Sequence, residues 1–315
     1  MRATTKLLVA THVDCGLHET TIGHPERPAR LAAAIAGAAL PGAAQIRVPV
    51  DEERAHAALR RVHTPGLIGR FEKACSSAPA LFECDDNPIS AGSFRAALAA
   101  THCGLAAVAA ALGGESIRVW VPVRPPGHHA LRDRPMGFCF FNNAAVLAEE
   151  LLQRGAGPVA IVDFDVHHGN GTQAHFWQRD DAFFLSLHRY PFYPGTGSGD
   201  EVGGGPGWGF TRNFPLVAGA GDEIWASALA AGLDEILTAY SPTAWVVSAG
   251  FDAHHRDPLG GMEVSEAGYA TFGRLIHEAS GRNPVIAVLE GGYNLEALRE
   301  SVRAFLTGLT GVVAP

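Results

Sequence analysis

The sequence PVAIVDFDVHHGNGT, residues 158–172, is the stretch that best indicates how this chain folds. Its first five residues are apolar and rich in β-branched side chains, which predicts a buried strand of a parallel sheet. Asp163, Asp165 and His167 follow directly, and they share one side of the chain if the extended conformation persists. Open α/β sheets build their sites where strands end. Because burial of such a cluster is costly without a cation or hydrogen-bond donors, the stretch predicts a metal site.

An alternative interpretation of this stretch is a simple turn. In that case the aspartates are solvated, and Asn170 and Thr172 have a capping role. Gly169 and Gly171 favour a site instead, because glycine lets the backbone fold closely around a ligand.

The composition is that of a globular α/β protein. The chain has 315 residues, of which 47% are apolar, and we expect it to form one domain over 1–315. We expect no apolar run long enough to cross a bilayer and therefore no membrane partner. The net charge is −8 and no Lys/Arg-rich block is present. This charge argues against nucleic acid as a direct partner and is compatible with a cationic substrate.

The cysteines indicate the compartment. There are five of them, an odd number, and none forms a CxxC pair. This usage fits a reducing cytoplasm, and Cys139, which lies among aromatic residues, is expected to be a buried packing residue.

Strand-like runs alternate with amphipathic or alanine-rich segments, which is the pattern of a doubly wound sheet. The predicted strands are 6–11, 46–50, 117–123, 159–163, 183–187, 245–249 and 285–289. The predicted helices are 28–40, 52–62, 90–112, 143–154, 222–240, 265–279 and 295–309. Residues 190–209 are dense in Gly and Pro and too long for a simple connection, so we expect them to shape the entrance to a site.

Three other predicted strands are also followed by chemically active side chains. His128 and His129 come after 117–123, where Pro and Gly break the regular structure and allow both rings to face one cavity. Asp252 follows 245–249 and offers a third metal ligand, and Tyr293 follows 285–289 and offers a hydroxyl. Each has a simpler interpretation: a surface histidine pair, a helix N-cap, and a tyrosine packed at the sheet edge. Four strand ends of this kind favour one shared site.

These segments also carry a family resemblance. The motifs are HPERPARL (24–31), RPPGHHA (124–130), GFCFFNNAA (137–145), DFDVHHGNGT (163–172), SLHRYPFYPGTG (186–197), SAGFDAHHRDP (248–258) and LEGGYN (289–294). Together they resemble the zinc-dependent histone deacetylase family, in the family's order and over essentially the whole chain. The HHGN and EGGY forms are closest to the class II branch, which includes bacterial amidohydrolases. The resemblance implies the arginase/deacetylase α/β fold, a single catalytic domain with a mainly parallel central sheet flanked by helices.

The resemblance also implies a zinc site. Asp165, His167 and Asp252 match the zinc ligands, and two carboxylates with one imidazole leave a fourth position for water or a substrate oxygen. A potassium ion is implied as well, because Ser186 and Leu187, with Asp163, Asp165 and His167, match a family site at which backbone carbonyls hold K⁺.

The resemblance assigns further roles around the zinc. His129 corresponds to the general base for water and the acid for the leaving amine, and His128 to its electrostatic support. Asp163 corresponds to the partner of His128, whereas Asn170 stands where other branches place an Asp behind the second histidine. A neutral Asn there lowers the expected pKa of His129. Tyr293 matches the residue whose hydroxyl meets the developing oxyanion.

Another group of residues matches the substrate channel. Gly137, Phe138 and Tyr193 match its walls, although Phe138 and Tyr193 are also compatible with simple core packing. Asp85 or Asp86 is a candidate for a hydrogen bond to the substrate backbone at the rim. Leu259 stands where lysine-selective members carry an apolar residue and the acetylpolyamine-selective branch carries Glu.

The expected activity is therefore hydrolysis of acetyl-lysine, or another acyl-lysine, in a protein or peptide. A polyamine ammonium needs an acidic partner, which Leu259 does not supply. Three alternatives stay open: an amidohydrolase of the same fold acting on acetylpolyamine or another small amide, a two-manganese ureohydrolase, and a non-catalytic binding module. The ureohydrolase is disfavoured because bridging acidic ligands are not evident beside His254 and Asp257. The binding module is disfavoured because His128, His129 and Tyr293 are proton-transfer groups that a binder does not need.

Overall fold

The computed structural model describes residues 5–114 and 116–311. These residues form a single α/β domain in which helices flank a parallel sheet of eight strands. The strands of this sheet are β1 (Lys6–Val9), β2 (Ala44–Gln45), β5 (Ile117–Val121), β6 (Val159–Asp163), β7 (Ala182–Arg189), β8 (Thr211–Leu216), β9 (Ala244–Ala249) and β10 (Val285–Leu289). Two further strands, β3 (Ala80–Leu81) and β4 (Pro88–Ile89), form a separate antiparallel pair. The helices are α1 (Ala29–Gly37), α2 (Glu52–Val62), α3 (Pro65–Cys75), α4 (Ser93–Ala111), α5 (Asn143–Gln153), α6 (Asn170–Phe176), α7 (Asp222–Ala239), α8 (Glu266–Ser280) and α9 (Leu295–Thr310).

The strand order explains why distant segments meet. The sheet runs β2-β1-β5-β10-β9-β6-β7-β8, and its pairings over the described residues are all parallel. The four strands that precede the predicted site segments, β5, β10, β9 and β6, are therefore consecutive neighbours at the centre of the sheet. Since parallel strands end at the same edge, the segments that follow them emerge side by side.

Helices cover both faces of the sheet. Helices α2, α3, α4 and α5 pack on one face, and α1, α7, α8 and α9 pack on the other. Strands buried on both sides need apolar residues at successive positions, which is why β6, β9 and β10 are nearly continuous apolar runs.

Most of the predicted elements are confirmed, but the predicted strand at 46–50 is wrong. The strand in this region is only Ala44–Gln45. One further backbone hydrogen bond to β1 follows it, from the Ile46 N–H to Val9 O at 3.0 Å. The sequence also failed to indicate α3, α6 and β8. Helix α3 contains two glycines, which lower helix propensity, and β8 contains Pro215, which is tolerated because β8 is an edge strand.

Helix α4 contradicts the expectation that no segment could cross a bilayer. By length and composition alone, its 19 residues are apolar enough to do so. However, 78% of the apolar window is buried inside the domain, which is typical of a core helix.

Candidate active site

Asp165, His167 and Asp252 converge where β6 and β9 end. One ligand atom from each lies within 4.8 Å of the other two. Strand β6 ends at Asp163, so the extended conformation does not persist through His167. Instead, Asp163 Oδ1 accepts the Asp165 N–H at 3.1 Å, and Asp165 Oδ1 accepts the His167 N–H at 2.9 Å. Carboxylate-to-backbone hydrogen bonds therefore shape the turn that brings these side chains together.

The donor set fits a divalent metal ion. Asp252 Oδ2 is fully buried and lacks a hydrogen-bond partner among the described residues, although it lies 3.2 Å from His167 Nδ1. Such an orphaned anionic oxygen is costly to bury, and a cation removes that cost. Two carboxylates and one imidazole are a three-residue donor set of the kind that a catalytic zinc site would use.

Two glycines allow the metal-binding carboxylates to lie against the backbone. A Cβ at Gly250 would lie 2.1 Å from Asp165 Oδ2, and a Cβ at Gly291 would lie 2.1 Å from Asp252 Oδ2. Both distances are far below van der Waals contact, so any larger residue at either position would displace a ligand.

The two adjacent histidines have different partners. His128 Nδ1 lies 3.0 Å from Asp163 Oδ2, whereas His129 Nδ1 lies 2.7 Å from Asn170 Oδ1. Their ring centroids are 4.0 Å apart and both rings are buried. Of the two, His129 lines the cavity described below. Asn170 therefore contacts a site histidine. The alternative interpretation, in which Asn170 caps a helix, is wrong for this residue.

The surroundings also separate the pKa values of the two histidines. Burial opposes protonation of His128, but the Asp163 and Asp165 carboxylates outweigh it and raise the pKa to about 10. For His129, burial and then the positive charges of His128 and His167 hold the pKa well below its usual value. At neutral pH His129 is consequently the neutral ring that can accept a proton.

A cavity of about 130 Å³ reaches His167, one of the three candidate metal ligands. It brings together the predicted channel residues Gly137, Phe138, Tyr193 and Leu259 with Asp86, whereas the alternative rim residue Asp85 does not line it. Its lining consists of Asp86, His129, Gly137, Phe138, His167, Tyr193, Leu259 and Tyr293. Tyr193 is 39% exposed and Leu259 is 36% exposed, so both lie at the mouth. The Tyr193 hydroxyl donates to Asp86 Oδ2 at 3.4 Å.

Tyr293 is held from several sides. Its backbone N–H donates to Asp257 Oδ2 at 2.6 Å, and the Arg30 guanidinium lies 4.8 Å from its ring centroid. Phe138 contacts the ring edge-on, with centroids 6.0 Å apart. Burial and then the Asp252 carboxylate raise the pKa of Tyr293 well above its usual value. The hydroxyl therefore stays protonated and is able to donate a hydrogen bond.

Sequence reasoning missed two buried carboxylates that hold the site segments. Glu290 Oε2 accepts the N–H groups of Gly127 and His128 at 2.7 and 3.1 Å, which fixes the histidine segment to the end of β10. Besides holding Tyr293, Asp257 accepts the Leu259 N–H at 2.9 Å. Both residues lie inside motifs quoted above. Glu290 follows β10 directly, and an acidic residue at the end of a buried strand was a signal that could have found it, whereas Asp257 lies eight residues after β9 and had no such signal.

The predicted potassium site stays a prediction. Ser186 pairs with Asp163 across the β6–β7 ladder, and Leu187 follows it on β7. The Ser186 hydroxyl lies 2.9 Å from His188 Nδ1, so its side chain is engaged within its own strand.

Comparison with known proteins identifies the family. The family described as "Histone deacetylase domain" matches residues 24–309. This match covers most of the chain, so the chain belongs to the histone deacetylase family. The resemblance predicted from the motifs is confirmed.

Among curated relatives, Histone deacetylase 15 of Arabidopsis thaliana is 39% identical over 294 residues, covering 91% of this chain and 53% of that protein. The chain thus spans about half the length of the plant relative. The Histone deacetylase-like amidohydrolase of Pseudomonas aeruginosa is 36% identical, covering 92% of this chain and 78% of that protein. Acetylpolyamine amidohydrolase of Mycoplana ramosa is 39% identical, with coverages of 84% and 71%. All three names denote hydrolases of amide bonds, which confirms the predicted enzyme class.

Solved structures confirm the predicted fold. The HDA15 HD domain matches with a TM-score of 0.90 and 36% identity, covering 99% of this chain and 90% of that chain. Acetylpolyamine aminohydrolase from Burkholderia pseudomallei matches with a TM-score of 0.83 and 30% identity, with coverages of 96% and 98%. The relatives thus include proteins named for histones and for acetylpolyamines.

Proposed function

We propose that this chain is a zinc-dependent amidohydrolase that removes acetyl, or another acyl group, from the ε-amine of lysine in proteins or peptides. One observation carries the proposal: His167, one of the three clustered candidate metal ligands, lines a cavity that His129 and Tyr293 also line. A binding module has no need of a proton acceptor and a hydroxyl donor beside a metal site.

Asp165, His167 and Asp252 are the residues that would hold zinc. When bound, zinc supplies two effects, polarisation of the amide carbonyl and a lower pKa for bound water. The carboxylates provide two negative charges, which suits a dication in a buried site.

His129 and Tyr293 then act on the amide itself. Because His129 is neutral at pH 7, it takes a proton from the attacking water and returns it to the leaving amine. The Tyr293 hydroxyl donates a hydrogen bond to the oxygen that becomes negative as water adds to the carbonyl. His128, paired with Asp163, supplies positive charge next to His129.

The channel supports an acyl-lysine substrate. Phe138 and Tyr193 supply aromatic surface for the apolar methylene chain, and Leu259 adds an apolar side chain at the mouth. Lysine within a peptide presents no second ammonium there. The apolar Leu259 is therefore sufficient at this position, and no acidic residue is needed.

Acetylpolyamine is the second candidate substrate, and Asp86 is the observation that favours it. Its carboxylate lines the same cavity and accepts a hydrogen bond from Tyr193. A carboxylate in this position can pair with the free ammonium of a polyamine. The relatives named acetylpolyamine amidohydrolases also support this candidate.

A side-by-side assay tests the substrate. We expect a higher kcat/KM for an acetyl-lysine peptide than for N-acetylspermidine in the wild-type protein. Leu259→Glu should shift the ratio towards the polyamine because it adds a negative charge, whereas Leu259→Gln has similar size without the charge and should not. A wild-type preference for the polyamine would contradict the lysine proposal.

The cytoplasm is the proposed compartment. All five cysteines are free, and four of them are buried, which supports a protein adapted to reducing conditions.

A further inference from the structure

A second cavity, which we call the arginine pocket, lies beside the histidine segment. Its volume is about 670 Å³. Its walls come from α2, α5, α6, Arg179 in the segment after α6, and residues 131–134. Residues 131–134 lie between His129 and the channel wall at Gly137 in the sequence. None of its lining residues lines the catalytic cavity.

The charge of this pocket is opposite in sign to that of the chain. Four arginines line it, against two carboxylates, in a protein whose net charge is −8. The arginines are Arg61, Arg132, Arg134 and Arg179. Arg61 pairs with Glu150, and Arg179 pairs with Glu149 and Asp181. The positive charge that is not offset lies on Arg132 and Arg134, where a bound anion would reduce their mutual repulsion.

Both carboxylates of the pocket are already engaged. Glu149 accepts hydrogen bonds from His175 at 2.7 Å and from Arg179. Asp133 accepts from Thr64 and lies 3.4 Å from Arg70, which is outside the pocket. Neither carboxylate is therefore available to neutralise the remaining arginines.

Three of the arginines keep unused hydrogen-bonding capacity. Arg132 and Arg134 are exposed and form no ion pair among the described residues. Arg61 binds Glu150 at 2.6 Å through one terminal nitrogen, but its Nε–H is buried without a hydrogen-bond partner in the described part of the chain. A buried donor without a partner is costly, which points to an acceptor that is bound in the functional protein.

We propose that the arginine pocket binds a small ligand that carries two or more phosphate groups. Guanidinium forks match phosphate oxygens in geometry and charge. A single carboxylate would offset one positive charge, whereas linked phosphates offset several. The volume lies within the range of small-molecule sites, about 300–1,000 Å³.

Calorimetric titration with inorganic pyrophosphate tests this proposal. The metal-loaded protein is first saturated with a hydroxamate, so that pyrophosphate cannot bind at the catalytic metal. At constant ionic strength we expect one pyrophosphate per chain. Arg132→Ala/Arg134→Ala should weaken binding about tenfold or more, because two charge-assisted contacts are lost. The matched control is Arg60→Ala/Arg274→Ala, which removes the same charge from exposed positions outside the pocket and should change the affinity less than about twofold.

Three results would overturn the proposal: no binding to the wild-type protein, equal weakening in both double variants, or a signal present only when the hydroxamate is omitted. Hexaglutamate is titrated in parallel. If it binds in an Arg132- and Arg134-dependent way while pyrophosphate does not, the pocket is an acidic-peptide surface and the proposal is wrong. The unfolding temperatures of the wild-type protein and both double variants are compared first. If Arg132→Ala/Arg134→Ala is unfolded, the titration is repeated with the single variant Arg132→Ala, and its pyrophosphate affinity decides between the outcomes.

Discussion

His129 Nδ1 lies 2.7 Å from Asn170 Oδ1, so the histidine that lines the catalytic cavity is held by a neutral amide. Its neighbour His128 is held by the Asp163 carboxylate at 3.0 Å. An amide oxygen orients the ring without adding the negative charge that would favour its protonation. Asp163 thus favours the protonated form of His128, whereas burial and the neighbouring positive charges hold the pKa of His129 well below its usual value.

Replacement of Asn170 by Asp tests that relationship. The new carboxylate stabilises the imidazolium, so the pKa of His129 rises, and a base that must be neutral becomes protonated at higher pH. The acid limb of the kcat/KM profile should therefore move to higher pH. Asn170→Ser, which is neutral, should leave the limb in place. The interpretation is wrong if both variants move it equally.

Removal of the Tyr293 hydroxyl should slow the reaction without unfolding the protein. Tyr293→Phe loses one donor to the developing oxyanion, and we expect a loss in kcat of about 10²- to 10³-fold with a smaller change in KM. Tyr240→Phe is the control, because the Tyr240 hydroxyl is buried without a described partner and belongs to the other end of the core. Near-normal turnover in Tyr293→Phe would exclude the proposed role.

The metal content should depend on Asp252. We expect about one zinc per chain in the wild-type protein and a large loss in Asp252→Ala, because two protein ligands hold zinc more weakly than three. The control Asp180→Ala removes an exposed carboxylate and should retain the metal. Elemental analysis of the purified proteins gives the result without an activity assay. Full metal content in Asp252→Ala would exclude this residue as a ligand.

Glu290 should matter for stability as well as for the site. In Glu290→Leu the buried N–H groups of Gly127 and His128 lose their acceptor, which costs on the order of 1–3 kcal/mol each in free energy of unfolding. Glu290→Gln keeps an acceptor oxygen, so its free energy of unfolding should stay closer to that of the wild-type protein. Chemical denaturation of the two variants measures the difference. Equal unfolding free energies would show that these hydrogen bonds do not hold the histidine segment.

Much of the architecture was predictable because it depends on local patterns. The apolar runs of β5, β6, β9 and β10 and the polar residues after them were visible in the sequence. The errors lie where a pattern was weak. Residues 46–50 are apolar at alternate positions, yet they lie at the sheet margin, where only two residues pair with β1. Helix α6 begins among glycines in a stretch whose chemistry suggested an extended segment.

The sequence by itself determined the class of fold and the side chains that form the candidate site, because strand periodicity and residue chemistry are local properties. Only the tertiary structure decided that Glu290 supports His128 and that Asp257 supports Tyr293. It also decided that four arginines from three separate segments share one pocket. These relationships join residues far apart in the chain, and they exist only because the parallel sheet brings strand ends and the helices beside them together.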